Sequence, residues 1–176
     1  MRRHPAINEK GFTMIEVIVS LILIGIMGVI AGMGFVAITK GYIFSKQNNE
    51  TSLRAQVAMA KIVKEIGMQS INFAVTVADV TAISYRYTDP IDSTIKNHTI
   101  ALSGTQIQFD GIRLVDNVNS LVIDYYDCCS ATKLATPVSA ADRLKIRRVD
   151  ISFGLTGAVG IISNFTDSAK IQEAYY

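Results

Sequence analysis

From Phe12 to Thr39 the chain carries a single formal charge, Glu16, in 28 residues. About 20 consecutive apolar residues suffice to span a bilayer as a helix. Lipid satisfies no backbone N–H or C=O, so such a run is committed to helix before anything else is known. Residues 12–39 are therefore predicted to form a transmembrane helix. A carboxylate deep in hydrocarbon is costly unless it is paired or faces protein, which marks Glu16 as a residue with a task. The plainer alternative is an ordinary single-pass anchor, because a glutamate near the membrane edge also reaches water or headgroups.

The preceding segment, Met1 to Gly11, holds Arg2, Arg3 and Lys10 against Glu9 and has no apolar run of its own. A secretory signal places its small-residue cleavage site after the apolar stretch. Here the small residue, Gly11, comes before it. A cut after Gly11 would remove only a charged leader, residues 1–11, and leave the hydrophobic segment in place. Basic residues ahead of the span put the N-terminus in the cytoplasm, and the chain beyond Lys40 on the far side.

Residues 40–68 contain no proline and continue the helix. Ala55, Met59, Ile62, Val63 and Ile66 fall on one stripe at helical spacing, with Lys61, Lys64 and Glu65 opposite. This amphipathic half is expected to lay its stripe on a sheet and to end at Gly67. Within the apolar half, Gly28 and Gly32 form a GxxxG spacing of the kind that lets helix backbones approach in lipid. Glycine is also common in such helices for no special reason.

Residues 69–176 read as β-structure. Ala82–Tyr87 alternates and stops at Asp89-Pro90, His98–Leu102 and Thr105–Phe109 follow, and Asp110-Gly111 closes the latter. Ser120–Tyr126 and Arg147–Leu155 are two further strands. Leu121, Ile123, Val149, Ile151 and Phe153 are the candidates to cover the helix stripe. Phe165–Tyr176 is weakly patterned and is expected to be flexible or to lie on a neighbour. A long helix followed by short strands and turns gives an α+β fold with an antiparallel sheet.

Charge argues against nucleic acid as a partner. The leader holds three of the 17 basic residues and one of the 15 acidic ones, leaving 14 of each, so the remainder is formally neutral. Catalysis finds little support either. The two histidines, His4 and His98, are too far apart in character to cluster, and no phosphate-cradling glycine loop or zinc-protease motif is present. No cofactor and no metal are expected. Asp89 with Asp92, and Asp124 with Asp127, offer oxygen ligands of the type calcium takes, but paired aspartates in loops are usually turn formers.

Gly11-Phe12-Thr13-Met14-Ile15-Glu16-Val17, followed by an apolar helix, resembles the processing site of type IV pilins and type II secretion pseudopilins. The resemblance is close over residues 1–40 and looser beyond. It implies a pilin-like fold, cleavage by a prepilin peptidase between Gly11 and Phe12, and N-methylation of Phe12. It also implies that Glu16 serves subunit assembly, by pairing with the N-terminal ammonium of a neighbouring subunit in the filament. Close pairing of this kind is what offsets desolvation of a charge at low dielectric. The implied partners are the peptidase, other pilin or pseudopilin subunits met through the N-terminal helix, and the inner membrane with its assembly platform. The globular domain would be periplasmic.

Many major pilins carry a proline about two-thirds along the apolar segment, where this chain reads Gly32-Met33-Gly34. Leu114–Asp127 and Leu144–Phe153 resemble strand patterns of W-type minor pilins and J-type minor pseudopilins. These departures and likenesses point to a minor pilin, with a minor pseudopilin of a type II secretion system as the alternative. A membrane-anchored periplasmic sensor or binding domain would share the anchor but would need neither Gly11 nor Glu16. Major pilins of the family often close a loop with two distant cysteines. Cys128 and Cys129 are adjacent, with Cα atoms about 3.8 Å apart, below the usual disulfide span of roughly 4.4–6.8 Å. They are read as a loop pair or free thiols, with a bond to a partner as the other possibility.

Overall fold

The computed structural model describes residues 11–67, 71–127 and 132–171. The leader to residue 10, the Cys128-Cys129 pair and residues 172–176 lie outside the described residues. The chain divides into two compact units, Met1–Ser45 and Lys46–Tyr176. One helix, α1 (Met14–Gly67), contributes to both.

In the first unit α1 is the only described element, and no residue from 11 to 46 is buried. Its apolar side chains point outward all round, including Leu21, Ile24, Ile30 and Phe35, each more than 60% exposed. The helix is long and apolar enough to cross a membrane. Met14 to Thr39 alone amounts to about 39 Å of helix at 1.5 Å per residue, against roughly 30 Å of hydrocarbon. Its hydroxyls are satisfied within the helix: Ser20 Oγ donates to the Glu16 carbonyl at 2.7 Å and Thr39 Oγ1 to the Phe35 carbonyl at 2.9 Å. That is how a polar side chain is carried into lipid without an orphaned donor.

The second unit is built on the rest of α1 and two antiparallel sheets. The first sheet runs in the order β1 (Ile71–Ala78), β2 (Ala82–Thr88), β3 (Ile95–Ser103), β4 (Gln106–Phe109) and β5 (Ile112–Val115). The second comprises β6 (Val118–Asp127), β7 (Ile146–Thr156) and β8 (Ile162–Lys170). A short helix, α2 (Ala140–Arg143), is capped by Ser139, whose Oγ accepts from the Asp142 N–H. Turn chemistry accounts for the tight connections: Asp110 and Gly111 both take positive φ (52° and 78°), as a two-residue type I′ hairpin loop demands.

Burial follows periodicity. Ala55, Ala58, Met59, Ile62 and Ile66 of α1 form one buried stripe. They join a single core with Ile83, Tyr85, Ile100 and Ile107 of the first sheet and Leu121, Ile123, Val149, Ile151 and Phe153 of the second. The register explains the second group: Leu121 pairs with Phe153, Ile123 with Ile151 and Tyr125 with Val149, so alternate residues share the inward face. Val63, expected on the stripe, is half-buried at its edge.

The sheets are joined by polar contacts at their seam. The Ile123 N–H donates to the Val80 carbonyl at 2.7 Å and the Val118 N–H to the Thr105 carbonyl at 2.9 Å. The buried Tyr125 phenol donates to the carbonyls of Asp79 (2.9 Å) and Ala82 (3.1 Å). Burial, reinforced by the nearby Asp79 charge, pushes its pKa upward, so it remains a donor at any ordinary pH.

The α+β class is as the sequence reads, with the antiparallel strands parted into two sheets. Three strands differ from the expectation. β1 and β5 were not separable by pattern, and residues 165–170 are strand rather than weakly ordered tail. In β8 only Ala169 is buried and only Phe165 half-buried, which leaves almost no alternation to read.

Candidate functional site

Gly11, Phe12 and Thr13 precede the first turn of α1, and Phe12 is 76% exposed. Thr13 caps the helix: its carbonyl accepts from the N–H groups of Glu16 (3.1 Å) and Val17 (3.3 Å), and its Oγ1 lies 3.4 Å from the Glu16 N–H. Thr13-Met14-Ile15-Glu16 thus has the S/T-x-x-E form of a capping box. The Thr-x-x-Glu spacing is the sequence signal for this cap. The acidic side chain itself sits in the first turn, where the helix dipole favours negative charge. Among the described residues the Glu16 carboxylate has no cationic partner.

The Gly28 and Gly32 positions are open. A Cβ added at either would meet nothing within 4 Å, so no contact among the described residues requires glycine there. Each glycine costs about 1 kcal/mol relative to alanine in a helix interior.

The acidic pairs are engaged in local structure. Asp89 Oδ1 accepts from the Ile91 N–H (2.8 Å), and Asp92 Oδ1 accepts from the Thr94 N–H (2.9 Å) and hydroxyl (2.6 Å). Lys96 pairs with Asp89 and lies 3.4 Å from Asp92 Oδ2. The Lys96 ammonium, with the Ile91 N–H, holds the Asp89 carboxyl below the usual carboxylate range, and the Thr94 hydroxyl and N–H do the same for Asp92. Asp124 is bridged by Lys133 at 2.7 Å. Among the described residues no three His, Cys, Asp or Glu side chains are grouped to hold a metal ion.

His98 lies on β3 with Nδ1 2.5 Å from Asp110 Oδ2. Its ring stacks on Phe109 (5.0 Å between centroids) and Tyr87 (5.5 Å). Among the described residues no nucleophile hydrogen-bonds to this ring, so the pair reads as an aromatic-packed polar contact of the sheet. Tyr85, stacked on Phe73 at 5.3 Å, has a buried hydroxyl with no hydrogen-bond partner among the described residues; burial, then the charge of Glu65, raises its pKa.

What stands apart chemically is therefore the start of α1 and its uncovered apolar length. No curated protein matches the chain. Residues 7–32 match the family model described as the prokaryotic N-terminal methylation motif. That motif supports a place among the type IV pilins and pseudopilins, processing by a prepilin peptidase and assembly with other pilins, and points to a structural subunit rather than an enzyme.

Proposed function

We propose that the chain is a minor pilin-like subunit. In this reading it enters the inner membrane with its N-terminus in the cytoplasm. It is cut between Gly11 and Phe12, methylated on Phe12 and assembled through α1 into a type IV pilus or its tip. The observation that carries the reading is the joining of the methylation motif over residues 7–32 to an apolar helix that no other described residue covers. A helix with about 39 Å of apolar surface exceeds a bilayer's hydrocarbon thickness, and neighbouring helices in a filament would cover the surplus. Gly28 and Gly32, which packing among the described residues does not require, are suited to that contact.

Glu16 has a physical reason to seek a partner. Removing the leader places a new ammonium at Phe12, on the positive end of α1, where the dipole disfavours it. A carboxylate from a neighbouring subunit would neutralise that ammonium, while Glu16 would receive the neighbour's own. The proline-free run Met14–Gly67 supports the minor over the major assignment. The same features fit a minor pseudopilin of a type II secretion system, as the second choice.

Mass spectrometry of the protein coexpressed with a prepilin peptidase tests the proposal. The expected N-terminus is N-methylphenylalanine at residue 12. A mature protein that keeps its leader overturns the subunit reading and returns the chain to the class of plain membrane-anchored domains.

A further inference from the structure

Two features of the second unit are exposed and unexplained by its own packing, and they match each other. One is the β2–β3 turn. Asp89-Pro90-Ile91-Asp92 is held by bonds from the Asp89 N–H to the Thr94 carbonyl and from the Ser93 N–H to the Asp89 carbonyl, both 2.9 Å. The Asp89 and Asp92 side-chain bonds described above add to this frame. At its tip the frame presents Ile91, 94% exposed. The other is a shallow groove between α1 and β5, lined by Leu53, Val57 and Leu114 and rimmed by Arg54 and Arg113. Leu53 and Val57, one helical turn apart, are 60% and 69% exposed. They belong to no part of the stripe that α1 buries.

The charges are arranged in opposite ratios. At the tip, two carboxylates (Asp89, Asp92) share one ammonium, Lys96. At the groove, two guanidiniums share one carboxylate: Arg54 Nη1 lies 3.8 Å and Arg113 Nη1 3.7 Å from Asp116. The tip is left with a net negative charge and the groove with a net positive one. Within one chain the two cannot meet. Ile83, Ile100, Phe109 and Ile112 form a row across the sheet. The Thr88–Ile95 pair that begins the turn stands five residues, about 17 Å, farther along the strands.

We propose that the Ile91 tip of one copy docks into the Leu53–Val57–Leu114 groove of a second copy, with Asp89 and Asp92 facing Arg54 and Arg113. The inference rests on the reading of the chain as an assembling subunit. The contact is heterologous, tip to groove, so a pair of copies leaves one tip and one groove free for other subunits. It is small, and small contacts of this kind are weak in free solution. Anchoring both copies in one membrane raises their effective concentration and makes such a contact sufficient.

The test is cysteine crosslinking of the full chain in membranes, in a Cys128→Ser, Cys129→Ser background. Two differently tagged copies are coexpressed, one Ile91→Cys and the other Val57→Cys. Both sites are exposed, so the core is untouched. Mild oxidation is expected to give a mixed dimer carrying both tags, and none when Val57→Cys is replaced by Asn119→Cys. Adding Arg113→Glu to the Val57→Cys copy should slow dimer formation about two- to fivefold, the range for an exposed ion pair. Two copies of Gly28→Cys report helix contact separately. If they crosslink while Ile91→Cys and Val57→Cys do not, the docking is overturned and the subunit reading survives. If neither pair crosslinks, the docking is again overturned, and the N-terminal mass measurement alone decides the subunit reading.

Discussion

The two parts of α1 continue one helix and are opposite in kind. Up to Phe44 its apolar side chains face outward in every direction. From Ala55 to Ile66 most of them, Val57 apart, gather on one stripe and disappear into a core with both sheets. The later part is folded by what its own chain supplies. The earlier part finds no cover among the described residues, and an apolar surface of this kind suits lipid or neighbouring helices. A substitution in one part should therefore be read by stability, and in the other by assembly.

The largest effect that would break this contrast concerns Glu16. Glu16→Ala is expected to leave membrane insertion and the melting of the second unit unchanged, while assembled filaments fall about tenfold or more, as for loss of one member of a desolvated ion pair. Filaments counted by electron microscopy at normal numbers would remove the pairing role. Next, Ile62→Ala, at a residue only 1% exposed, should cost about 2–5 kcal/mol in denaturant unfolding of the detergent-solubilised chain. Ile24→Ala, 66% exposed, should cost the second unit nothing by the same measurement. Equal effects at the two positions would erase the distinction between the parts.

Smaller changes sharpen the picture of the folded unit. Gly154→Ala places a Cβ 2.8 Å from Asn164 Oδ1 and 3.2 Å from Ser120 Oγ and Ile162 Cγ2. About 1–3 kcal/mol of overpacking is expected from thermal melting, with Asn164→Ala restoring part of it. Tyr125→Phe leaves the seam carbonyls of Asp79 and Ala82 without their phenol donor and should cost about 1–2 kcal/mol. The mildest effect is an acid one at the β2–β3 turn. Asp89 and Asp92 have folded-state pKa values below their ordinary 3.8. Their contribution to turn order is therefore complete above that value and is lost as pH falls through the lower folded-state values. The Ile91 methyl resonances should stay fixed at neutral pH and move only in that acid window, without unfolding of the core.

How much of this was legible in the sequence depended on whether a residue's role is local. Thr13 and Glu16 act within one helical turn, and Asp110-Gly111 within one hairpin, so short patterns expose them. Leu121, Ile123, Val149, Ile151 and Phe153 were readable because β6 and β7 each keep one face buried and the period stays at two. β1 defeats that logic: its pairing with β2 shifts register between Ile71 and Ala74 and again between Val75 and Val77, and each shift breaks the alternation. β8 was hidden for another reason, since as an edge strand it buries little beyond Ala169. The exposure of Leu53 and Val57 was readable too, because helical spacing puts both on the face opposite the stripe that α1 buries.

Ser20, Thr39 and Thr51 each send a hydroxyl back to the carbonyl four residues earlier, those of Glu16, Phe35 and Gln47. An acceptor shared in this way gives a slightly weakened rung in the helical ladder, and helices bend at such rungs. The three rungs sit in an early, a middle and a later turn of α1, so any curvature the helix takes up has set places to gather.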